Sequence, residues 1–276
     1  MINKNILTKA SETELGSAVQ ENLYALFRSM QVLPGCVLIE NNSLSLHHSF
    51  PANPFFKGVW RTHLSPEETE TKIDEVVDWF SQRGAPYFFW WTDSRTQPVD
   101  MAEHLIRRGF DGSLEGNPGM AANLYELREN FQISSSFEII QAVEQESFED
   151  WRDAFVEAFE IPVSDGQAWV DATLSTKQEK VPWQFYVGYL DHEPVSTSIL
   201  FNGAGVAGLY AVGTIPRARN KGIGTAITLK PLLDARNQGY HFAVLFSSRM
   251  GYSVYKRLGF REVVCKIGKY YMEIDH

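Results

Sequence analysis

Cysteine is scarce in this 276-residue chain: Cys36 and Cys265 are the only two, and neither belongs to a C-x-x-C pair or sits beside clustered histidines. That pattern excludes a disulfide framework and offers no thiolate set for a metal, so both cysteines read as small apolar side chains in a reducing cytoplasm. Positive charge is also in short supply. Lys and Arg total 25 against 34 Asp and Glu, a formal net charge of −9. With no long basic run to track a phosphate backbone, nucleic acid is not an expected partner. Long hydrophobic runs are missing as well. The densest, Tyr87-Phe88-Phe89-Trp90-Trp91, is far short of the ~20 residues that cross a bilayer, so no membrane is expected. The amino terminus, Met1-Ile2-Asn3-Lys4-Asn5, has neither the apolar core nor the small-residue cleavage site of a secretory signal.

What the chain does have is apolar material, 44% hydrophobic and 13% aromatic residues, in a length above the usual single-domain size. Two cores are therefore expected. Helical periodicity runs over residues 11–30, where Ser11 and Glu14 fit a capping box. Strands are expected at 36–40 and 43–49 around an Asn41-Asn42 turn, and again at 59–62. Ser65-Pro66-Glu67-Glu68 opens a helix that ends near Gly84. A strand at 86–91, a short helix ending in Gly109-Phe110 and a strand at 120–124 follow, with Asn117-Pro118-Gly119-Met120 read as the turn feeding that strand.

The polar stretch Ile133-Ser134-Ser135-Ser136 marks the best boundary, dividing the chain into 1–133 and 134–276. Beyond it, strand 137–141 and helices at 147–159 and 164–174 precede an antiparallel meander at 183–190, 195–201 and 206–212, with turns at 191–194 and at Asn202-Gly203. A helix at 224–237, a strand at 242–246, a helix to Leu258 and strands at 262–267 and 270–274 complete the series. The halves match in order. Each has a strand, a long helix ending in Gly84 or Gly239, an aromatic strand, and a short helix ending in Gly109-Phe110 or Gly259-Phe260. The expected fold class is α/β (α+β): two like domains, each a mixed, largely antiparallel sheet flanked by helices.

One loop carries chemistry. Arg219-Asn220-Lys221-Gly222-Ile223-Gly224 joins the strand ending in Val212-Gly213-Thr214 to a helix. The first N–H groups of a helix have no internal partner, and the helix dipole makes that end positive, so a pyrophosphate can be held there. Glycines at 222 and 224 would let phosphate oxygens approach the backbone. A dinucleotide fingerprint needs a third glycine and an acidic residue about 20 positions on, and a P-loop needs Lys-Ser/Thr; neither is present.

This loop, with Val212-Gly213-Thr214-Ile215-Pro216 ahead of it, resembles the Q/R-x-x-G-x-G/A loop of the GNAT superfamily of acyl-coenzyme A dependent N-acyltransferases. The stretch from Met250 to Phe260, with Tyr255 just before Gly259-Phe260, resembles that family's closing helix, and the resemblance covers about residues 137–275. It implies acetyl-coenzyme A as co-substrate without a metal. It also implies that Val212, Gly213 and Thr214 hold the pantetheine arm, that Arg219, Asn220, Lys221, Gly222, Ile223, Gly224 and Thr225 cradle the pyrophosphate, and that Tyr255 is the general acid on the departing thiolate. Ser248 stands where many members carry an Asn that bonds the pantetheine, a departure that weakens that contact. The general base is open among Glu157, Glu160, Asp165 and a water chain. The acceptor is open too: a small-molecule amine or a peptide amino terminus, bound by a monomer or homodimer. In the first half, Leu105 stands opposite Tyr255 and His63-Leu64-Ser65-Pro66-Glu67-Glu68 opposite the glycine loop. That half is expected to bind no coenzyme A. The alternative reading is a non-catalytic acyl-coenzyme A binding or regulatory module.

Overall fold

The computed structural model describes residues 6–49, 54–113, 115–176 and 182–274. In chain order its elements are α1 (Glu12–Ser29), β1 (Val37–Glu40), β2 (Ser45–His48), β3 (Lys57–Trp60), α2 (Pro66–Ser81), β4 (Tyr87–Asp93), α3 (Met101–Arg107), β5 (Asp111–Gly112) and β6 (Asn117–Asn123). Then come β7 (Phe137–Gln141), α4 (Gln145–Phe159), α5 (Val163–Leu174), β8 (Trp183–Leu190), β9 (Glu193–Gly203), β10 (Val206–Thr214), α6 (Ile223–Asn237), β11 (Phe242–Phe246), α7 (Tyr252–Leu258) and β12 (Arg261–Glu273).

One continuous sheet runs β1-β2-β3-β4-β12-β6-β11-β10-β9-β8-β7, with β5 on β12. Its pairs are antiparallel except β3 with β4 and β10 with β11. The strand, long helix, parallel strand, short helix series occurs twice, as β3-α2-β4-α3 and β10-α6-β11-α7. The helix ends repeat with it. Ala85 and Tyr240 each donate to the carbonyl five residues back at 3.1 Å, and Phe110 and Phe260 do the same at 3.1 and 3.0 Å, each just after a left-handed glycine. This is one C-terminal capping geometry used four times.

The halves are sewn together in the middle of the sheet. β6 follows the first series but lies against β11 of the second, whereas β12 follows the second and lies against β4 of the first. Each parallel pair is thus completed by the other half's last strand. β12 manages this by changing partner along its length, from β6 over Arg261 to Ile267 to β4 over Ile267 to Glu273. The sequence suggests a break near Gly268; the structure has one unbroken strand that hands over there.

Alternating burial assigns the faces. On β4, Phe88 and Trp90 face α2 and α3, while Phe89 and Trp91 face α1. Leu26 of α1 and Met30, just past its end, join Trp151, Phe155 and Trp169 of α4 and α5 in one core, and α6 and α7 cover the opposite face of the second series. α1 is stitched to that series by Asn22, which is fully buried. Its amide donates to the carbonyl of Gly203 at 2.8 Å, with longer contacts to Phe201 and Val206, and its oxygen accepts from the Tyr210 hydroxyl at 2.6 Å.

Four local expectations are corrected. Asn117, Pro118 and Gly119 are not a turn but the first residues of β6, with Pro118 opposite Lys266, and Gly119 close against Cys265 and Val19. The β9 to β10 turn lies at Ala204-Gly205, both with positive φ, one step beyond Asn202-Gly203, because β9 stays paired through Gly203. Asn41 closes a wider loop than a two-residue turn, its side chain accepting from the N–H groups of Ser43 and Leu44. α4 begins at Gln145, since Ser147 is the third residue of a capping box begun by Glu144 rather than the helix start.

Candidate functional site

β10 and β11 share register only at Ala207 with Ala243 and Gly208 with Val244, after which they diverge. On its other edge β10 carries a bulge: Tyr210 pairs with Ile199 and Gly213 with Thr197, so β10 spends one residue more than β9. Ala211 takes the left-handed conformation this needs, φ 49°, and its carbonyl accepts from the Thr197 hydroxyl at 2.9 Å. Val212, with no register partner on β9, lies at the opening between the parallel strands. No sequence signal marks this bulge, because alanine is a poor left-handed residue and local preference argues against it.

The glycine loop lies at the end of that opening. Thr214 closes β10, Pro216, Arg217 and Ala218 make a single 3₁₀ turn, and α6 starts with Gly222 as its N-cap. Gly222 has φ 80° and offers no side-chain cap, while Thr225 and Ala226 donate back to its carbonyl at 3.0 and 3.2 Å. Among the described residues nothing accepts from the N–H groups of Lys221, Gly222, Ile223 or Gly224. A side chain on Gly224 would meet only the Thr214 hydroxyl, at 3.7 Å. The helix end therefore has no side-chain cap and has room at Gly224, with the Gln132 carbonyl 3.3 Å from where a Cβ on Gly222 would be, and its free N–H groups suit an anion.

Lys221 and Asn220 are exposed on the loop. Arg219 is not aimed at that space: its guanidinium donates to the carbonyls of Thr214 at 3.0 Å and Ala158 at 3.2 Å, tying the loop to the strand end and to α4. Thr225 is buried. Gly213 lies against Ala158 and Phe159, where a Cβ would come within 2.9 and 2.7 Å of their side chains.

Tyr255 and Val212 pack in the same core, between α6, α7 and the sheet. The Tyr255 ring lies over the start of α7: a Cβ on Gly251 would come within 2.7 Å of the ring and 3.2 Å of its hydroxyl. Burial pushes the Tyr255 phenol well above the ordinary tyrosine value, which favours the protonated form and leaves it a proton to give. Ser248 is exposed, and its hydroxyl accepts from the Gly251 N–H at 3.1 Å, so it caps the turn into α7 and keeps its own proton to donate.

The three acidic candidates separate. Glu157 is 3.6 Å from the exposed Arg217, an ordinary surface pair. Glu160 is the left-handed C-cap of α4. Asp165, in the first turn of α5, has its carboxyl raised by burial while the charge of Lys57 opposes the rise, and burial brings Lys57 down to about 8. Lys57 belongs to β3, so Asp165 faces the first half.

The matching place in the first half is closed. The residues following β3 and β4 are joined by a parallel bridge between His63 and Gln97: Gln97 donates to Thr62 at 3.0 Å and Leu64 to Gln97 at 3.1 Å. The N-terminus of α2 carries its own cap, with Ser65 and Glu68 in a capping box and the Thr69 hydroxyl on the Ser65 carbonyl. Leu105, opposite Tyr255, is fully buried among apolar side chains. Among the described residues no group of His, Cys, Asp and Glu could hold a metal, and no helix is long and apolar enough to cross a membrane.

Known proteins agree with this geometry. Residues 139–263 match the family model described as an acetyltransferase (GNAT) domain. No curated protein matches the sequence. Among solved structures, a GCN5-related N-acetyltransferase from Kribbella flavida superposes with a TM-score of 0.65 at 15% identity, over 98% of this chain and 97% of that one. One from Sphaerobacter thermophilus gives 0.61 at 16%, over 96% and 92%. A tandem GNAT protein from the clavulanic acid biosynthesis pathway gives 0.56 at 12%, over 95% of each chain. At these identities the structures speak for the fold alone. The second half of the chain thus carries an acetyltransferase (GNAT) domain over residues 139–263, and both the N-terminus of α6 and Tyr255 lie within it.

Proposed function

We propose that the chain transfers an acetyl group from acetyl-coenzyme A to a primary amine, on a small molecule or a peptide amino terminus. The observation that carries this reading is the uncapped, open N-terminus of α6 beside the divergence of β10 from β11, with a buried tyrosine in the same core. The pyrophosphate lies on the N–H groups of Lys221, Gly222, Ile223 and Gly224, with Asn220 and Thr225 shaping the loop and Arg219 fixing it to β10. The extended pantetheine arm pairs with the backbone of Val212, Gly213 and Thr214, and Ser248 donates to it from the far side.

The amine nitrogen attacks the thioester carbonyl directly. The new C–N bond forms, the C–S bond breaks, and the thiolate takes the Tyr255 proton. The ammonium proton leaves to one of Glu157, Glu160 and Asp165 or along a water chain. The acting unit is residues 134–276. The first half, with its bridged strands and capped α2, takes no coenzyme and braces the second through β6 and α1.

Replacing Tyr255 with Phe tests the assignment. Turnover, read as thiol release with acetyl-coenzyme A and a panel of amines, falls by about two orders of magnitude while coenzyme affinity stays within a factor of about two. Full turnover in Tyr255→Phe removes the tyrosine from the mechanism. Coenzyme binding with no turnover on any amine in the wild-type chain supports a binding module instead.

A further inference from the structure

The aromatic run of β4 is core on one face only. Phe88 and Trp90 are fully buried on the α2 and α3 side, and on the other face Trp91 of β4 and Ile267 of β12 are buried with Leu23, Tyr24 and Phe27 of α1. Toward the start of β4 that cover gives out. Phe89 and Tyr87 are half-buried, and so is Tyr271, which β12 sets directly opposite Phe89. The three rings form a strip, with centroids 5.7 Å apart from Phe89 to Tyr271 and 5.9 Å apart from Tyr271 to Tyr87. Tyr87 and Tyr271 belong to none of the apolar cores formed by the described residues, and the Phe89 ring is open enough to take the ammonium of the exposed Lys269, 4.8 Å from its centroid.

This strip is continuous with the divergence of β10 from β11. Phe246, the last residue of β11, lies two residues beyond the last point at which those strands share register. Alternation along β11 puts Val244 and Phe246 on the α1 side of the sheet and Leu245 on the other. Phe246 is half-buried and packs against the cluster of Trp91 and Ile267, against which Phe89 packs as well. From the divergence outward, one side of the sheet thus presents Phe246, then Phe89, Tyr271 and Tyr87. Burial, and then the charge of Asp165, raises the Tyr87 phenol to about 12, so the first turn of α5 stands near the outer end. β12 is two strands from β11 in the sheet, about 10 Å at the usual strand spacing.

We infer, resting on the acetyl transfer proposed at that divergence, that the strip seats the acceptor and selects one carrying an aromatic ring about 10 Å from its amine. The ring stacks on Phe89 and Tyr271, and the chain between ring and amine runs past Phe246 to the thioester. An aromatic ring gains offset or edge contacts with those two that a saturated ring of the same size does not. Two sources fit this spacing: a long-chain aryl amine, and a peptide amino terminus with an aromatic third residue. The acceptor is then chosen by β4 of the first half and β12 of the second, which lie side by side because the halves exchange their last strands.

Thiol release by the full chain with acetyl-coenzyme A tests this on matched pairs: 6-phenylhexylamine against 6-cyclohexylhexylamine, and the amide of Gly-Gly-Phe against its cyclohexylalanine counterpart. In one of the two pairs, which then names the source, the aromatic acceptor is preferred about tenfold in kcat/KM, through KM. Phe89→Leu and Tyr271→Leu each cut that preference about threefold and Tyr271→Phe keeps it, while acetyl-coenzyme A affinity by calorimetry stays within twofold and excludes misfolding. Equal kcat/KM within both pairs overturns the inference and leaves acetyl transfer standing, as does a preference that neither leucine variant reduces. A preference as large between 2-phenylethylamine and 2-cyclohexylethylamine also overturns it, because that ring stops short of β12. Turnover of other amines but of none of these overturns the inference alone; turnover of no amine at all overturns the acetyl-transfer reading with it.

Discussion

Gly224 is the second residue of α6, where an alanine would be the better helix former. Its Cβ would meet only the Thr214 hydroxyl, at an ordinary 3.7 Å, so Gly224→Ala is not expected to harm the fold. It should raise stability by ~0.5 kcal/mol in denaturant unfolding and weaken acetyl-coenzyme A binding about tenfold in titration, because the new methyl occupies the approach to the helix N–H groups. A variant that is more stable and binds equally well would show that the glycine serves the fold and not a ligand. The positions of Gly222 and Gly224 were legible in the sequence, since glycine between a strand and a helix has few other uses. The side chain of Arg219 was not. Its charge suggests a phosphate contact, but the carbonyls of Thr214 and Ala158 converge on it from segments the sequence does not place side by side.

Helix ends are more legible in this sequence than strand connections. The capping boxes at Ser11 and Ser65 and the glycine ends of α2, α3, α6 and α7 are local signals, and the structure has helices bounded by them. The β10 bulge, the wider Asn41 loop and the strand role of Asn117, Pro118 and Gly119 are set by cross-strand partners instead, and composition argued against each. Asn22 illustrates the same dependence. On its helix it is a polar residue at a core position, and only β9 and β10 explain it by supplying carbonyls and the Tyr210 hydroxyl. Asn22→Ala leaves those groups buried without partners, at a cost of about 3 kcal/mol in chemical denaturation. A loss below about 0.5 kcal/mol would mean that water reaches the site and that α1 is not sewn to the second series by this residue.

Across the whole molecule, the two like series expected from the paired glycine endings are present as β3-α2-β4-α3 and β10-α6-β11-α7. The exchange of β6 and β12 was not legible, because an antiparallel strand pairs equally well by pattern with either series. That exchange makes one sheet of the described residues, and in the two like series the N-terminus of α6 has no side-chain cap whereas its counterpart at α2 is bridged and capped. Coenzyme is expected to bind at the first of these places and not at the second. Calorimetric titration of acetyl-coenzyme A into the intact chain tests it most directly. One site per chain is expected, abolished when Gly222 and Gly224 are both replaced by valine; two sites per chain, or one site that survives that replacement, would contradict a single coenzyme site at α6.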